Sequence, residues 1–187
     1  MDGSPVPSTH DIIDHILNNL EGVEYMELIS EEHVEKTWRE VAQLTPARVN
    51  KEILAFGKSQ PDLLAFIVSY TEDITPEIKK LGVYLAFVIY KMFHGLQNKI
   101  PRVSSKEILA CYADNEHYLQ SFEGIHERLL ERIVTTQQPK QPHVMNYIIE
   151  ALMEDPEENE ICELTEEDKG FLFILLKTIM EVLNQKV

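Results

Sequence analysis

Apolar residues recur at helical spacing along almost the whole chain, and the strict alternation of apolar and polar residues typical of strands is nearly absent. The first apolar stripe ends at Gly22 and consists of Ile12, Ile13, Ile16, Leu17 and Leu20. This pattern predicts an all-α protein, folded as a compact bundle of about seven to eight helices. We expect residues 1–8 to be a disordered N-terminus and residues 9–187 to form a single helical domain.

Prolines and small polar residues predict where helices begin. Thr45-Pro46, Gln60-Pro61 and Thr75-Pro76 each precede an apolar stripe, and proline is well tolerated in the first helical turn. The helix after Pro61 is expected to carry Leu63, Leu64, Ile67 and Val68 on its apolar side. The helix after Pro76 is expected to run to about Asn98. It is apolar on nearly all sides, which predicts a central position.

The remaining helices follow from the same signals. Ser30 is expected to cap a helix whose apolar side carries Val34, Trp38 and Val41. After a connection containing Pro101, a long helical stretch is predicted from Ser105 to about Val134. A further helix is predicted to follow Pro142, and the last helix is predicted to begin after Thr165, with an acidic loop between them. The apolar residues of the first of these two are Val144, Met145, Ile148, Ile149, Leu152 and Met153.

Two segments resemble each other and predict an internal duplication, with one half at about 30–98 and the other at about 105–187. QPDLLAFIV, which starts at Gln60, resembles QPHVMNYII, which starts at Gln141. The helices that follow also correspond at a constant offset, with Leu85 matching Leu175. The alternative is that two unrelated amphipathic hairpins look alike. If the duplication holds, the most apolar helix of each half packs against the other about a pseudo-two-fold axis.

The charge balance disfavours two classes of partner. The 187 residues include 17 basic and 32 acidic side chains, for a formal net charge of -15. Binding to nucleic acid or to an anionic membrane surface depends on an excess of lysine and arginine.

The apolar stretch Leu81–Tyr90 is too short to span a bilayer. Residues 1–8 lack the pattern of a secretory signal, so the expected location is cytoplasmic.

No motif identifies a catalytic centre or a cofactor site. The chain contains no GxGxxG, no GxxxxGK[ST] and no GxSxG sequence. Cys111 and Cys162 form no CxxC pair and are interpreted as small apolar residues. Trp38, Tyr84, Phe87, Tyr90 and Phe93 are interpreted as core aromatics rather than as a ligand pocket.

Two patterns suggest a metal site, and each has a simpler explanation. Glu123 and His126 form one Glu-x-x-His motif of the kind found in di-iron bundles, while Asp114 to His117 matches loosely. His117 and His126 are expected on opposite faces of their helix, so the alternative is a solvated face.

The second pattern resembles a calcium-binding loop. In the acidic loop from Asp155 to Glu166, oxygen-bearing residues occupy the ligand positions of an EF-hand loop. Glu160 stands where that loop requires glycine, which favours a solvated loop.

One segment opposes the overall charge. Residues 91–106 contain no acidic side chain and four cationic ones: Lys91, Lys99, Arg102 and Lys106. They could receive an acidic partner or the acidic loop of the other half. The alternative is chance clustering near a helix C-terminus.

The leading hypothesis is a non-catalytic interaction or regulatory protein, because helical faces are abundant and no reaction centre is evident. Helix-in-groove contact is the recognition mode expected, with a protein partner or by self-association. The alternative is a helical-bundle metal-binding protein or enzyme that uses Glu123 and His126. A small-ligand pocket between the apolar helices is a third possibility.

Overall fold

The computed structural model describes residues 28–97, 99–120, 140–153 and 164–187, and these residues form seven helices and no strand. In chain order the helices are α1 (Glu31–Ala42), α2 (Pro46–Ser59), α3 (Pro61–Tyr70), α4 (Pro76–Leu96), α5 (Ser105–Gln120), α6 (Pro142–Met153) and α7 (Glu166–Asn184). The predicted all-α class is therefore confirmed.

Side-chain caps fix the starts of most of these helices. The hydroxyls of Ser30, Thr45 and Thr75 accept hydrogen bonds from backbone N–H groups three residues further on. Thr165 and Asp168 form a reciprocal capping box at the start of α7, with donor–acceptor distances of 3.0 and 3.1 Å. Each cap satisfies an amide that has no partner within its helix, so the start is determined locally.

Helices α4 and α7 form the centre of the described fold. The contact between them is the most extensive of those between the described helices. A Cβ atom added at Gly82 of α4 would lie 3.1 Å from Cδ2 of Leu172, so the Leu172 side chain packs directly on the backbone of α4 there. Leu85 and Leu175 are both buried in the same core. The helix after Pro76 thus packs against the helix after Thr165, as the sequence predicts, while the duplication itself stays an interpretation.

The other helices surround this pair. Helix α1 packs against α4 and α6, and α5 packs against α7 and α3. Helix α2 contacts α3 and α4, and Phe56 is its one buried residue. Because so little of α2 is covered, one side of this helix remains accessible beside α4.

Two sequence expectations about burial were wrong. Trp38 was expected on the apolar side of α1, but its side chain is 38% exposed, and Thr37 is buried beside Val34 and Val41 instead. Val68 was expected on the apolar side of α3, yet it is 44% exposed. Residues 34, 37 and 41 define a face that is rotated away from Trp38, and the neighbouring helices decide which face is covered.

Several predictions concern residues outside the described part. These are the N-terminus at 1–8, the first apolar stripe, and the continuation of α5 towards Val134. Among the helices that are described, none combines the length and the apolarity needed to cross a membrane.

Candidate functional site

The candidate metal residues are only partly covered by the structure. Glu123 and His126 lie outside the described residues, as do positions 155–163 of the acidic loop. Glu166, at the last position of the EF-hand pattern, is exposed in the first turn of α7, and its carboxylate lies 3.0 Å from Nζ of Lys169. Within the described ranges, no group of three or more histidine, cysteine, aspartate and glutamate side chains is placed to hold a metal ion.

The cations predicted to act together between Lys91 and Lys106 are divided by the fold. Lys91 lines a groove between α2 and α4. Lys99 and Arg102 are exposed on the connection after α4, and Lys106 is exposed in the first turn of α5. The basic surface that does form joins Lys91 to residues of another helix.

This surface is a groove of about 580 Å³ between α2 and the C-terminal half of α4, which we call the basic groove. Its lining residues are Arg48, Lys51, Glu52, Leu54, Ala55, Phe56, Lys58, Ser59, Phe87, Tyr90, Lys91 and His94. Four of these side chains are cationic and one is anionic. The groove therefore has the opposite sign to the chain as a whole, whose formal net charge is -15.

Helical spacing explains why the cations converge. Arg48, Lys51 and Lys58 are separated by three and seven residues, which places them along one side of α2. Lys91 lies on α4 and faces the same groove. These three residues of α2 were not predicted from the sequence to have a role, although their helical spacing was the signal that could have identified them.

A single carboxylate organises one edge of the basic groove. Glu52 receives Nε of Arg48 at 2.8 Å and Nζ of Lys91 at 3.2 Å, so it connects α2 to α4. The hydrogen bond from Arg48 is the largest cause that lowers the pKa of the Glu52 carboxyl; burial opposes it, and the hydrogen bond and charge of Lys91 lower the pKa further. Glu52 is thus ionised at neutral pH, while Lys51 and Lys58 extend from the surface.

The floor of the basic groove is aromatic. The rings of Phe56 and Tyr90 lie 4.6 Å apart between centroids, and Phe87 is buried beneath the groove. The hydroxyl oxygens of Ser59 and Tyr90 are 3.0 Å apart. Leu54 is 66% exposed at the rim. An apolar floor with a cationic rim suits a ligand that is both apolar and acidic.

A second groove, of about 600 Å³, borders the same helix on its α3 side. Gly57, Leu64, Ala65 and Val68 contribute to its lining, together with one cation and one carboxylate. It therefore offers apolar contact without a preference for charge, and it indicates no particular ligand.

A buried polar cluster lies between α5 and α7. Lys177 is 6% exposed, and its ammonium donates to Oδ1 of Asn115 at 2.6 Å and to the carboxylate of Glu181. Asn115 in turn donates to Glu181 at 2.8 Å and to the hydroxyl of Thr178 at 3.1 Å. The partners are mutually satisfied, so this cluster is suited to fixing how α5 sits on α7.

Cys111 borders this cluster and is a poor nucleophile there. Its sulfur lies 3.4 Å from a carboxylate oxygen of Glu181. Burial and then the adjacent negative charge raise the pKa of the thiol to about 12. The thiolate is the reactive form, so Cys111 is a buried small residue as predicted. Cys162 lies outside the described residues.

No protein-family model, no curated protein and no solved structure matches this chain.

Proposed function

We propose that the protein is a non-catalytic binding protein that receives an acidic, amphipathic helical segment of a protein partner in the basic groove. The observation that carries this proposal is the net positive charge of the side chains that line the groove. Lysine and arginine are a minority in the chain, 17 against 32 acids, yet four of them line this one groove with a single glutamate.

Charge complementarity selects the partner. Opposite charges across an interface speed the encounter and exclude partners of the wrong sign. Because Lys51 and Lys58 extend into solvent, they act mainly by attraction at a distance, and the effect weakens as salt is added. Arg48 and Lys91 are held in place by Glu52, so they present a fixed rim.

The accessible apolar residues of the groove favour a helical ligand in particular. Amphipathic helices bind grooves by inserting apolar residues at helical spacing, with polar residues left at the rim. Leu54, which is 66% exposed, and the exposed Ala55 supply apolar contacts, while the buried rings of Phe56, Phe87 and Tyr90 form a packed base beneath them. An acidic helix would place its leucines against Leu54 and Ala55 and its carboxylates beside the cations.

The test uses a fluorescent synthetic peptide of about 18 residues, with leucines along one helical face and glutamates elsewhere. Anisotropy titrations with the full chain are expected to show saturable binding that weakens with salt. The same peptide with lysine in place of every glutamate is expected not to bind.

The charge-reversal variant is Lys51→Glu with Lys58→Glu, and its matched control is Lys36→Glu with Lys80→Glu, which reverses two exposed lysines outside the groove. The groove variant is expected to bind the acidic peptide about tenfold more weakly. Equal loss in both variants would mean that only net charge matters, and it would overturn the groove as the site. Circular dichroism establishes that both variants are folded.

A further inference from the structure

We infer that the chain carries its own ligand for the basic groove: the N-terminal segment with the apolar stripe from Ile12 to Leu20 docks there and competes with the partner. This inference rests on the proposed function and adds a regulation of the same site.

The composition of the segment matches the ligand that the groove suits. Its apolar residues recur at helical spacing, which predicts an amphipathic helix. No lysine or arginine occurs before Lys36, while Asp11, Asp14 and Glu21 lie within or beside the stripe. The segment is therefore acidic and amphipathic, as is the ligand class proposed above.

The point at which the chain enters the fold lies close to the groove. His33, in the first turn of α1, has its Nε2 atom 2.9 Å from the carbonyl oxygen of Met92 in α4. Its ring also packs against Gly95, where an added Cβ atom would collide with it. Lys91 and His94 line the basic groove, and they directly precede Met92 and Gly95, the two residues that His33 contacts.

The tether is long enough to reach. Leu28 is 59% exposed at the edge of the described fold, and Ile29 is buried, with its N–H donated to Gln141 at 2.9 Å. The chain between Leu20 and Leu28 can extend over about 28 Å. That span exceeds the width of two packed helices, roughly 20 Å, so the stripe can reach α2 from this anchor.

Tethering makes even a weak contact effective. A connection of so few residues gives the attached segment an effective concentration in the millimolar range. A partner must displace it before binding, so the partner's apparent affinity is its intrinsic affinity multiplied by the fraction of grooves that are free. The segment would therefore raise the concentration of partner that is needed to fill the groove.

Photo-cross-linking in the full chain tests the occupant. A benzophenone side chain replaces Ala55 in the groove, and the matched control replaces Ala110, which is exposed on α5. The expected product is a monomeric cross-link from position 55 to the tryptic peptide that ends at Lys36, absent from position 110. A dimeric product would identify a second copy as the occupant and overturn the inference, as would equal cross-linking from both positions or none.

A binding measurement separates this inference from the proposed function. Ile16→Asp with Leu17→Asp disrupts the apolar stripe, while Asn18→Asp with Asn19→Asp adds the same charge and leaves the stripe intact. The stripe variant is expected to bind the acidic synthetic peptide at least about fivefold more tightly than the native chain, and the control is expected to bind it like the native chain.

The outcomes distinguish the two claims. Equal affinity in the native chain and the stripe variant, with loss in the Lys51→Glu, Lys58→Glu variant, overturns the intramolecular ligand and leaves the proposed function supported. Absence of peptide binding in every form, including the stripe variant, overturns the proposed function and with it this regulation.

Discussion

Gln60 and Gln141 make the same contact at two places in the fold. Each precedes a helix-opening proline, and each is fully buried. The side-chain oxygen of Gln60 accepts the N–H of Val103, and that of Gln141 accepts the N–H of Ile29, both at 2.9 Å. Val103 precedes the capping residue Ser104, and Ile29 precedes the capping residue Ser30. The two glutamines therefore connect α3 to the start of α5 and α6 to the start of α1.

The exchange of contacts between the two halves bears on the predicted duplication. Each glutamine binds a residue that lies just before the first helix of the other half, which is the arrangement expected if a pseudo-two-fold axis relates 30–98 to 105–187. The duplication itself stays our interpretation of the sequence resemblance.

Replacing either glutamine by alanine is expected to lower the free energy of unfolding by about 2 kcal/mol. The reason is that Gln60→Ala leaves the buried N–H of Val103 without its acceptor, and Gln141→Ala does the same to Ile29. Urea denaturation measures the change. Gln43→Ala, at an exposed position, serves as the control and is expected to change stability by less than about 0.5 kcal/mol. A change in Gln60→Ala or Gln141→Ala as small as that would contradict the anchoring role.

Helix starts could be predicted from the sequence because their causes are local. The starts of α2, α3 and α4 at Pro46, Pro61 and Pro76 agree with the prediction, as does the start of α7 after Thr165. Proline fixes its own backbone angle, and a threonine cap bonds to amides only two or three residues away. None of these signals depends on the rest of the fold.

The burial of single residues and the composition of the groove could not be predicted in the same way. Trp38 is apolar and lies beside the buried face of α1, but which face is covered depends on how α4 and α6 pack against it. The basic groove depends on Arg48 and Lys91 meeting across α2 and α4. Such a meeting is a property of helix packing, which periodicity within one helix does not determine.

Gly82 and Gly170 predict different responses to alanine. Gly170 lies inside α7, and a Cβ atom added there meets nothing within 4 Å. Alanine at this position is expected to stabilise the protein by about 0.5–1 kcal/mol, because glycine is unfavourable in a helix interior.

At Gly82 the added Cβ would lie 3.1 Å from Leu172 and 3.5 Å from Leu175, in the buried contact of α4 with α7. Crowding is expected to cancel the helical benefit of Gly82→Ala. Gly82→Val is expected to cost about 1–3 kcal/mol, since a packed core yields poorly to added volume. Thermal melting of the three variants measures the effects, and a stabilised Gly82→Val protein would contradict the close approach.

The polar cluster between α5 and α7 predicts an asymmetric response within one ion pair. Lys177 is almost completely buried, whereas the side chain of Glu181 is 27% exposed. Glu181→Ala leaves a buried ammonium without its carboxylate and is expected to cost about 3–4 kcal/mol. Lys177→Met keeps the length of the side chain and leaves a carboxylate that water can reach, so a cost of about 1–2 kcal/mol is expected. Equal costs in the two variants, measured by urea denaturation, would contradict this account.

The carboxyl of Glu107 predicts a contribution to stability that depends on pH. It accepts hydrogen bonds from Nζ of Lys186 at 2.6 Å and from the hydroxyl and the N–H of Ser104 at 2.7 and 2.8 Å. The bond from Lys186, followed by those from Ser104, lowers the pKa of Glu107 from 4.5 to about 2. The ionised form is therefore favoured by folding, and its contribution is present above pH 4.5 and is lost as the pH falls towards 2.

The size of this contribution is limited because the Glu107 side chain is 38% exposed and solvent screens the pair. Glu107→Gln is expected to reduce stability by no more than about 1 kcal/mol at neutral pH. The difference from the native protein should shrink between pH 4.5 and pH 2, as urea denaturation at a series of pH values would measure. Lys186→Met removes the largest cause of the low pKa, so the pKa of Glu107 in the folded protein should rise towards 4.5. The contribution of Glu107 to stability should then be lost at a higher pH than in the native protein. A difference that grows as the pH falls would mean that the protonated form of Glu107 is the one that folding favours.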